Sequence, residues 1–325
     1  MVLLSDIKGQ NNAVRYLSGS LCSGRIAGSY LFSGPEGVGR ALCARAFVLA
    51  LVCPERATGE AEACLRCLAC RRVSALEHPD IRWIKPEKNR AIKIDEIRRI
   101  RDVLSLKPYE APVSVCVIED AHMMTIEASN ALLKVLEEPP GRSLLILITD
   151  RKELLLPTVV SRCTEVGFRF LPVSEVRDII LREAADVSEE TAEFLAYFSQ
   201  GSPGRALAMI EDGLEERKKE LIALVEGIIK EKNPSCCNWN KENKDRLLED
   251  IEMLIMFFRD TAMGKEGLKD MILDKGIAGT DMYRFFEKYS IDKIHSVIER
   301  LIRMKLAMEG NANPKLVAQA LPGIL

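Results

Sequence analysis

The stretch "GPEGVGRA", Gly34 to Ala41, has the spacing of a phosphate-binding loop without all of its chemistry. In the pattern G-x-x-x-x-G-K-[ST], backbone N–H groups at a helix start cradle phosphate oxygens. The lysine reaches the β- and γ-phosphates, and the hydroxyl ligates magnesium. Gly34 and Gly39 stand at the right separation with Gly37 between them, but Arg40 replaces the lysine and Ala41 the hydroxyl residue. Ala41 cannot hold a metal, and arginine's planar fork does not substitute for an ammonium in a tight site. The acidic element "VCVIEDAH" departs as well, because it ends with Glu119-Asp120, the reverse of the Asp-Glu order of a hydrolysing site. All three departures weaken one function. Hydrolysis by this chain is therefore not expected, and ATP with Mg2+ should bind weakly or not at all. The plainer alternative is that the glycines only make a tight strand-to-helix turn.

Four of the ten cysteines crowd into one short segment, Cys53-x10-Cys64-x2-Cys67-x2-Cys70. Cys-x2-Cys spacing lets thiolates converge on one ion, and a fourth ligand from a preceding loop completes a tetrahedron. Four sulfurs with no open position mean structural zinc (Zn2+), since catalytic zinc keeps a water site. An iron–sulfur cluster is the runner-up, but a ferredoxin run wants a cysteine where Ser74 stands. Unligated thiols are the third reading. Adjacent Cys236 and Cys237 read as unpaired thiols of a reduced compartment.

The elements that position these groups follow from apolar patterning. Ser29 to Ser33, Ile81 to Ile84, Val113 to Ile118, Leu144 to Thr149 and Glu165 to Phe170 read as five strands. The third and fourth are continuous apolar runs, as in parallel strands buried on both faces. Between strands lie "RALCARAFVLAL", "IKIDEIRRIRDVL" with Ile94, Ile97, Ile100 and Val103/Leu104 on one face, and "TIEASNALLKVLEE", stopped by Pro139-Pro140-Gly141. Beyond Pro172 the strand signals fade into short helices with a turn at "GSPG". Longer helices follow from about 214, interrupted by the polar stretch "KEKNPSCCNWNKENK" at 230–244.

The bulk numbers exclude more than they assign. At 325 residues, two or three domains are expected. A formal charge of −2 gives no global pull towards nucleic acid or anionic lipid, and no apolar run is long enough to span a bilayer. The start "MVLLSDIKGQ" shows no charged leader, so a cytoplasmic location is expected. Arg98, Arg99 and Arg101 supply local positive charge, which reads first as a solvated helix face.

The strings "YLFSGPEGVGR", the four-cysteine insertion, "HPDIRWI", "IKIDEIR", "ASNALLKVLEEPP" and "LLPTVVSRC" follow one another in a characteristic order. Together they resemble bacterial clamp-loader subunits of the AAA+ superfamily, in the DNA polymerase III delta-prime family whose sibling is the gamma/tau motor family. The resemblance extends over essentially the whole chain, to "NANPKL" near its end. It implies an α/β then all-α chain. Residues 1–170 would form an AAA+ P-loop domain on a five-stranded parallel sheet, with a zinc-binding insertion at about 53–70. Residues 171–212 would form a helical lid, and 213–325 a helical collar in which "IEMLIMFF" packs.

Such loaders open a sliding clamp and place it on primed DNA. Motor members hydrolyse ATP, while delta-prime members act as non-hydrolysing, stator-like subunits of the DNA polymerase III holoenzyme. For Ser161-Arg162-Cys163 the resemblance implies an arginine finger, Arg162, inserted into a neighbour's ATP site. A guanidinium there is worth about 10³ to 10⁵ in rate, or roughly 4 to 7 kcal/mol. Without the resemblance, Arg162 reads as an ordinary surface arginine. The resemblance also places Thr149 at the sensor-1 position and Arg205 at the sensor-2 position, vestigial like Glu119 and Asp120 beside a defective loop; equally, Thr149 reads as a strand-end residue and Arg205 as a surface charge at a helix N-terminus. The implied partners are gamma/tau motor subunits, a delta subunit, the sliding clamp by direct or indirect contact, and primed DNA within the assembly, with no membrane. The alternatives are an ATP-hydrolysing motor-type subunit and a subunit of another AAA+ repair or recombination machine. His78 and His122 have no evident partner and read as structural.

Overall fold

The computed structural model describes residues 1–86, 90–231, 244–268, 271–274 and 280–324. The interruption expected at 230–244, with Cys236 and Cys237, falls almost wholly outside the described residues. Contacts divide the chain into two compact units, Met1–Ala185 with Ser199–Ala206, and Asp186–Phe198 with Leu207–Leu325.

The first unit is built on a five-stranded sheet of β1 (Ser29–Ser33), β2 (Ile81–Ile84), β3 (Ser114–Ile118), β4 (Ser143–Thr149) and β5 (Thr164–Gly167). Every pairing is parallel and the order is β2-β3-β4-β1-β5. Around it run α1 (Asn11–Ser23), α2 (Arg40–Val52), α3 (Leu68–Ser74), α4 (Ile94–Leu104), α5 (Ile126–Glu137), α6 (Pro157–Val160) and α7 (Val173–Glu183). The chain is thus α/β and then all-α, with a five-stranded parallel sheet in its first half. Strand alternation sorts the core. Leu31, Cys116, Ile118, Leu145 and Leu147 face the buried residues of α4 and α5, among them Ile97, Ile100, Leu132 and Val135. Tyr30, from the opposite set of β1 positions, sets its ring 5.4 Å from Phe47 of α2. Cys43 and Cys116 are core thiols, each pushed up to about 12 by burial. The exposed arginines of α4 lean on acidic neighbours, Arg98 on Asp95 at 3.4 Å and Arg101 on Asp102 at 3.2 Å.

One strand ends earlier than its sequence suggests. β5 stops at Gly167 rather than Phe170 because the chain swings over the end of β1. The Phe168 N–H donates to the Ser33 carbonyl at 2.7 Å. The Phe168 carbonyl then passes so close to Gly34 that a Cβ there would lie 2.4 Å from its oxygen.

The second unit contains α8 (Glu189–Phe198), most of α9 (Pro203–Glu211), α10 (Leu214–Glu231), α11 (Lys244–Lys265), α12 (Asp281–Phe286), α13 (Ile291–Glu309) and α14 (Pro314–Ala320). Helix α11 buries Ile251, Met253, Leu254, Phe257 and Phe258, and α13 buries Ile294, Val297 and Leu301. Within "IEMLIMFF" every residue but Glu252 and Ile255 is buried. Arg217 of α10 ties the helices together through Asp250 at 2.8 Å and through Glu249. No helix among the described residues is long and apolar enough to cross a membrane.

Candidate functional site

The glycine loop joins β1 to α2 as its spacing requires. Gly37 and Gly39 take φ of +73° and +94°, and Arg40 opens the helix. The loop is covered from within the same unit. The Gly204 N–H donates to the Gly37 carbonyl at 2.8 Å, and Ser202 Oγ donates to the Glu36 carbonyl at 2.9 Å. A Cβ on Gly37 would meet Ser202 Oγ at 2.2 Å, and one on Gly204 would meet Gly37 Cα at 2.8 Å. The "GSPG" turn therefore sits directly on the loop backbone, and the Arg205 N–H donates to Ser202 Oγ at 3.3 Å beside it.

Arg40 is only 7% exposed, and its Nη1 has no hydrogen-bond partner among the described residues. Burial lowers its pKa, opposed by the carboxylates of Asp150, Asp120, Glu36 and Glu119 in that order of influence. A buried cation belonging to the chain thus lies within the electrostatic influence of the acidic groups at this end of the sheet. Glu119 is held by Trp83 Nε1 at 2.7 Å and lies 3.5 Å from Lys85 Nζ. Asp120 adopts φ +47°. Thr149 is completely buried; its hydroxyl accepts from the Arg151 N–H at 3.0 Å and lies 3.1 Å from His122 Nδ1, which itself lies 3.2 Å from Asp150 Oδ1. Ala41 brings no ligand atom for magnesium, whereas Asp120, His122 and Asp150 each offer one, all within 4.8 Å of one another.

Arg162 lies at the other end of β1. Its carbonyl accepts from Ser29 Oγ at 2.8 Å, whereas the loop follows Ser33, about 13 Å further along at the usual strand rise. Its guanidinium donates through Nη1 to the Thr158 carbonyl at 3.0 Å and pairs through Nη2 with Glu137 Oε1 at 2.7 Å. The side chain is 37% exposed. Ser161 is exposed with its hydroxyl on the Thr158 carbonyl at 3.2 Å, and burial pushes Cys163 up to about 11.

The four cysteines converge. The sulfurs of Cys53, Cys64, Cys67 and Cys70 all lie within 4.8 Å of one another, with Cys64 and Cys70 at 4.0 Å. Zinc–sulfur bonds of about 2.3 Å in a tetrahedron put sulfurs about 3.8 Å apart, so the set fits zinc. The N–H groups of Cys64, Cys67 and Cys70 each donate at 3.4 Å to the sulfur of Cys53, Cys64 and Cys67 respectively. Such bonds stabilise thiolates that carry a metal. Burial raises the pKa of Cys67 and Cys70, a penalty that a bound cation reverses.

A family model described as "DNA polymerase III, delta subunit" matches residues 9–172, half of the chain. The chain belongs to the DNA polymerase III delta-prime family of clamp-loader subunits. It is 25% identical to DNA polymerase III subunit delta' of Bacillus subtilis over 94% of this chain and 92% of that one. It is 28% identical to subunit delta' of Pseudomonas aeruginosa over 91% of this chain and 90% of that one. The tau subunit of Bacillus subtilis is 28% identical over 96% of this chain, which spans 59% of that relative's length.

In this delta-prime family member the structure gathers Gly34, Gly37, Gly39, Arg40, Glu119, Asp120, Thr149 and the backbone of Arg205 at one end of β1, and sets Arg162 apart. Sequence reasoning missed His122 and Asp150 as neighbours of Thr149. The signal was present, since Asp150 directly follows Thr149 at a strand end. His78 is buried, accepting at Nδ1 from the Asp80 N–H at 3.2 Å, as a structural histidine would. Glu137 had no role before Arg162 was seen beside it.

Proposed function

We propose that the chain is the non-hydrolysing, stator-like subunit of a clamp loader and that Arg162 acts in trans on the ATP of a neighbouring subunit. One contrast carries this reading. At one end of β1 the loop carries a buried Arg40 and its Glu36 and Gly37 carbonyls are engaged by the chain's own turn; at the other, a half-exposed arginine stands about 13 Å further along the strand from that loop. A guanidinium so placed cannot serve its own loop, and it has the chemistry to neutralise charge on a transferring phosphoryl group.

The assembly would comprise gamma/tau motor subunits and a delta subunit in the cytoplasm, acting on a sliding clamp and primed DNA. Residues 171–212 would serve as the lid and 213–325 as the collar. Cys53, Cys64, Cys67 and Cys70 would hold zinc, which orders the insertion ahead of β2 and takes no part in chemistry.

Reconstitution with motor and delta subunits tests the proposal. Arg162→Ala should assemble normally and abolish ATP turnover at one site of the loader, with loss of clamp loading. Unchanged turnover and loading would remove Arg162 from the mechanism. ATP hydrolysis by the isolated chain would establish the motor-type alternative.

A further inference from the structure

We infer that Glu137 is a positioning residue for Arg162, fixing the half-exposed guanidinium in one place before a neighbouring phosphate arrives. The inference rests on the trans role proposed above for Arg162.

The backbone of Arg162 is fixed from two sides. Its N–H donates to the Val159 carbonyl at 3.2 Å, and its carbonyl accepts from Ser29 Oγ at 2.8 Å, so the Cα is tied to the edge of the sheet. The side chain beyond it is long, and an arginine free in solvent samples many rotamers. Two bonds restrict it, from Nη1 to the Thr158 carbonyl and from Nη2 to Glu137 Oε1. Thr158 is local and would hold any arginine at this position. Glu137 is the contact from a different element.

Glu137 is also well mounted. It is the last residue of α5, whose first turn is capped by Thr125 accepting from the Ala128 N–H and whose last turn is anchored by buried Val135 and Leu136. Pro139 and Pro140 stop the helix immediately afterwards, so the carboxylate projects from a rigid end. A guanidinium has five N–H donors. The two bonds use one each, leaving three for an incoming phosphate.

The pair is half in water, with side-chain exposures of 37% and 50%. Exposed ion pairs are weak, so Glu137 orients the arginine without sequestering it. Pre-organised charge of this kind lowers the barrier of the chemical step without changing how ATP binds to the neighbour's own loop.

The test uses the reconstituted loader and single-turnover phosphate release. The phase to read is the one that disappears in Arg162→Ala. Glu137→Ala should slow that phase about two- to five-fold, the range an exposed ion pair corresponds to, with the KM for ATP unchanged. Glu137→Gln keeps a carbonyl acceptor and should recover most of the rate. In the Arg162→Ala background, Glu137→Ala should change nothing. If the phase exists but is untouched by Glu137→Ala, or if Glu137→Ala slows turnover equally without Arg162, the inference is overturned while the role of Arg162 stands. If Arg162→Ala removes no phase, both fall together.

Discussion

Replacing Gly204 by alanine isolates the contact that closes the phosphate loop. The added Cβ would lie 2.8 Å from Gly37 Cα and 3.0 Å from the Gly37 carbonyl oxygen, and both are backbone atoms that no rotamer change can move. Carbon atoms settle at about 3.5–4.0 Å, so the turn and the loop must part by about 0.7 Å or more. That separation stretches the 2.8 Å bond from the Gly204 N–H to the Gly37 carbonyl to the limit of hydrogen bonding. Overpacking typically costs about 1–3 kcal/mol and the weakened bond about 1 kcal/mol, giving roughly 2–4 kcal/mol for the first unit. Urea denaturation read by Trp83 fluorescence, with Trp239 replaced by phenylalanine, measures it. Gly39→Ala is the comparison. Gly39, unlike the helical Gly204, needs a left-handed backbone, at φ +94°, but a Cβ there meets nothing within 4 Å, so it should cost only about 1–2 kcal/mol of backbone strain. A Gly204→Ala protein as stable as the parent would mean that the turn does not rest on the loop, and the account of a self-capped site would fail.

Cys70→Ser should lower bound zinc from about one equivalent per chain to a small fraction, as measured by metal analysis of the purified protein; full retention would show that the sulfurs are not the ligands. The carboxylate of Asp80 accepts N–H groups of Tyr109, Glu110 and Ala111 at 2.6, 2.9 and 2.8 Å, so Asp80→Asn should cost about 2–3 kcal/mol at neutral pH. Burial alone would raise that carboxyl, but those three donors hold it below its ordinary value of 3.8. Its contribution is therefore complete above 3.8 and is lost as pH falls through the lower folded value, so acid denaturation curves of parent and variant should converge there. Arg217→Ala leaves the buried carboxyl of Asp250 without its partner. It should destabilise the helical unit by about 3 kcal/mol, read by the loss of helical circular dichroism in urea, while wild-type-like behaviour would assign the pair no structural weight.

Local chemistry was legible in the sequence. The spacing of Gly34 and Gly39, the cysteine run and the apolar strands are patterns over a few residues, and each is where the pattern puts it. What escaped depends on segments far apart in the chain. Phe168 leaves the sheet because it must cover the loop at Gly34, a constraint invisible in "EVGFRF". The "GSPG" turn reads as a bend between helices, and only its contact with Gly37 makes both glycines sterically necessary. Glu137 and Arg162 are 25 positions apart, and no periodicity connects a helix end to an arginine beyond the next strand. His122, Thr149 and Asp150 meet because β3 and β4 are parallel neighbours, which fixes the same ends of both strands side by side.

Parallel strands also give the sheet a direction, and that direction belongs to any assembly built from it. A subunit that accepts an arginine at one rim and offers one at the opposite rim joins its neighbours head to tail, by unlike surfaces. On the role proposed for Arg162, a member that offers an arginine but does not use one would end such a series in one sense only. The asymmetry of a ring containing this chain would then be written into the two termini of a single five-residue strand.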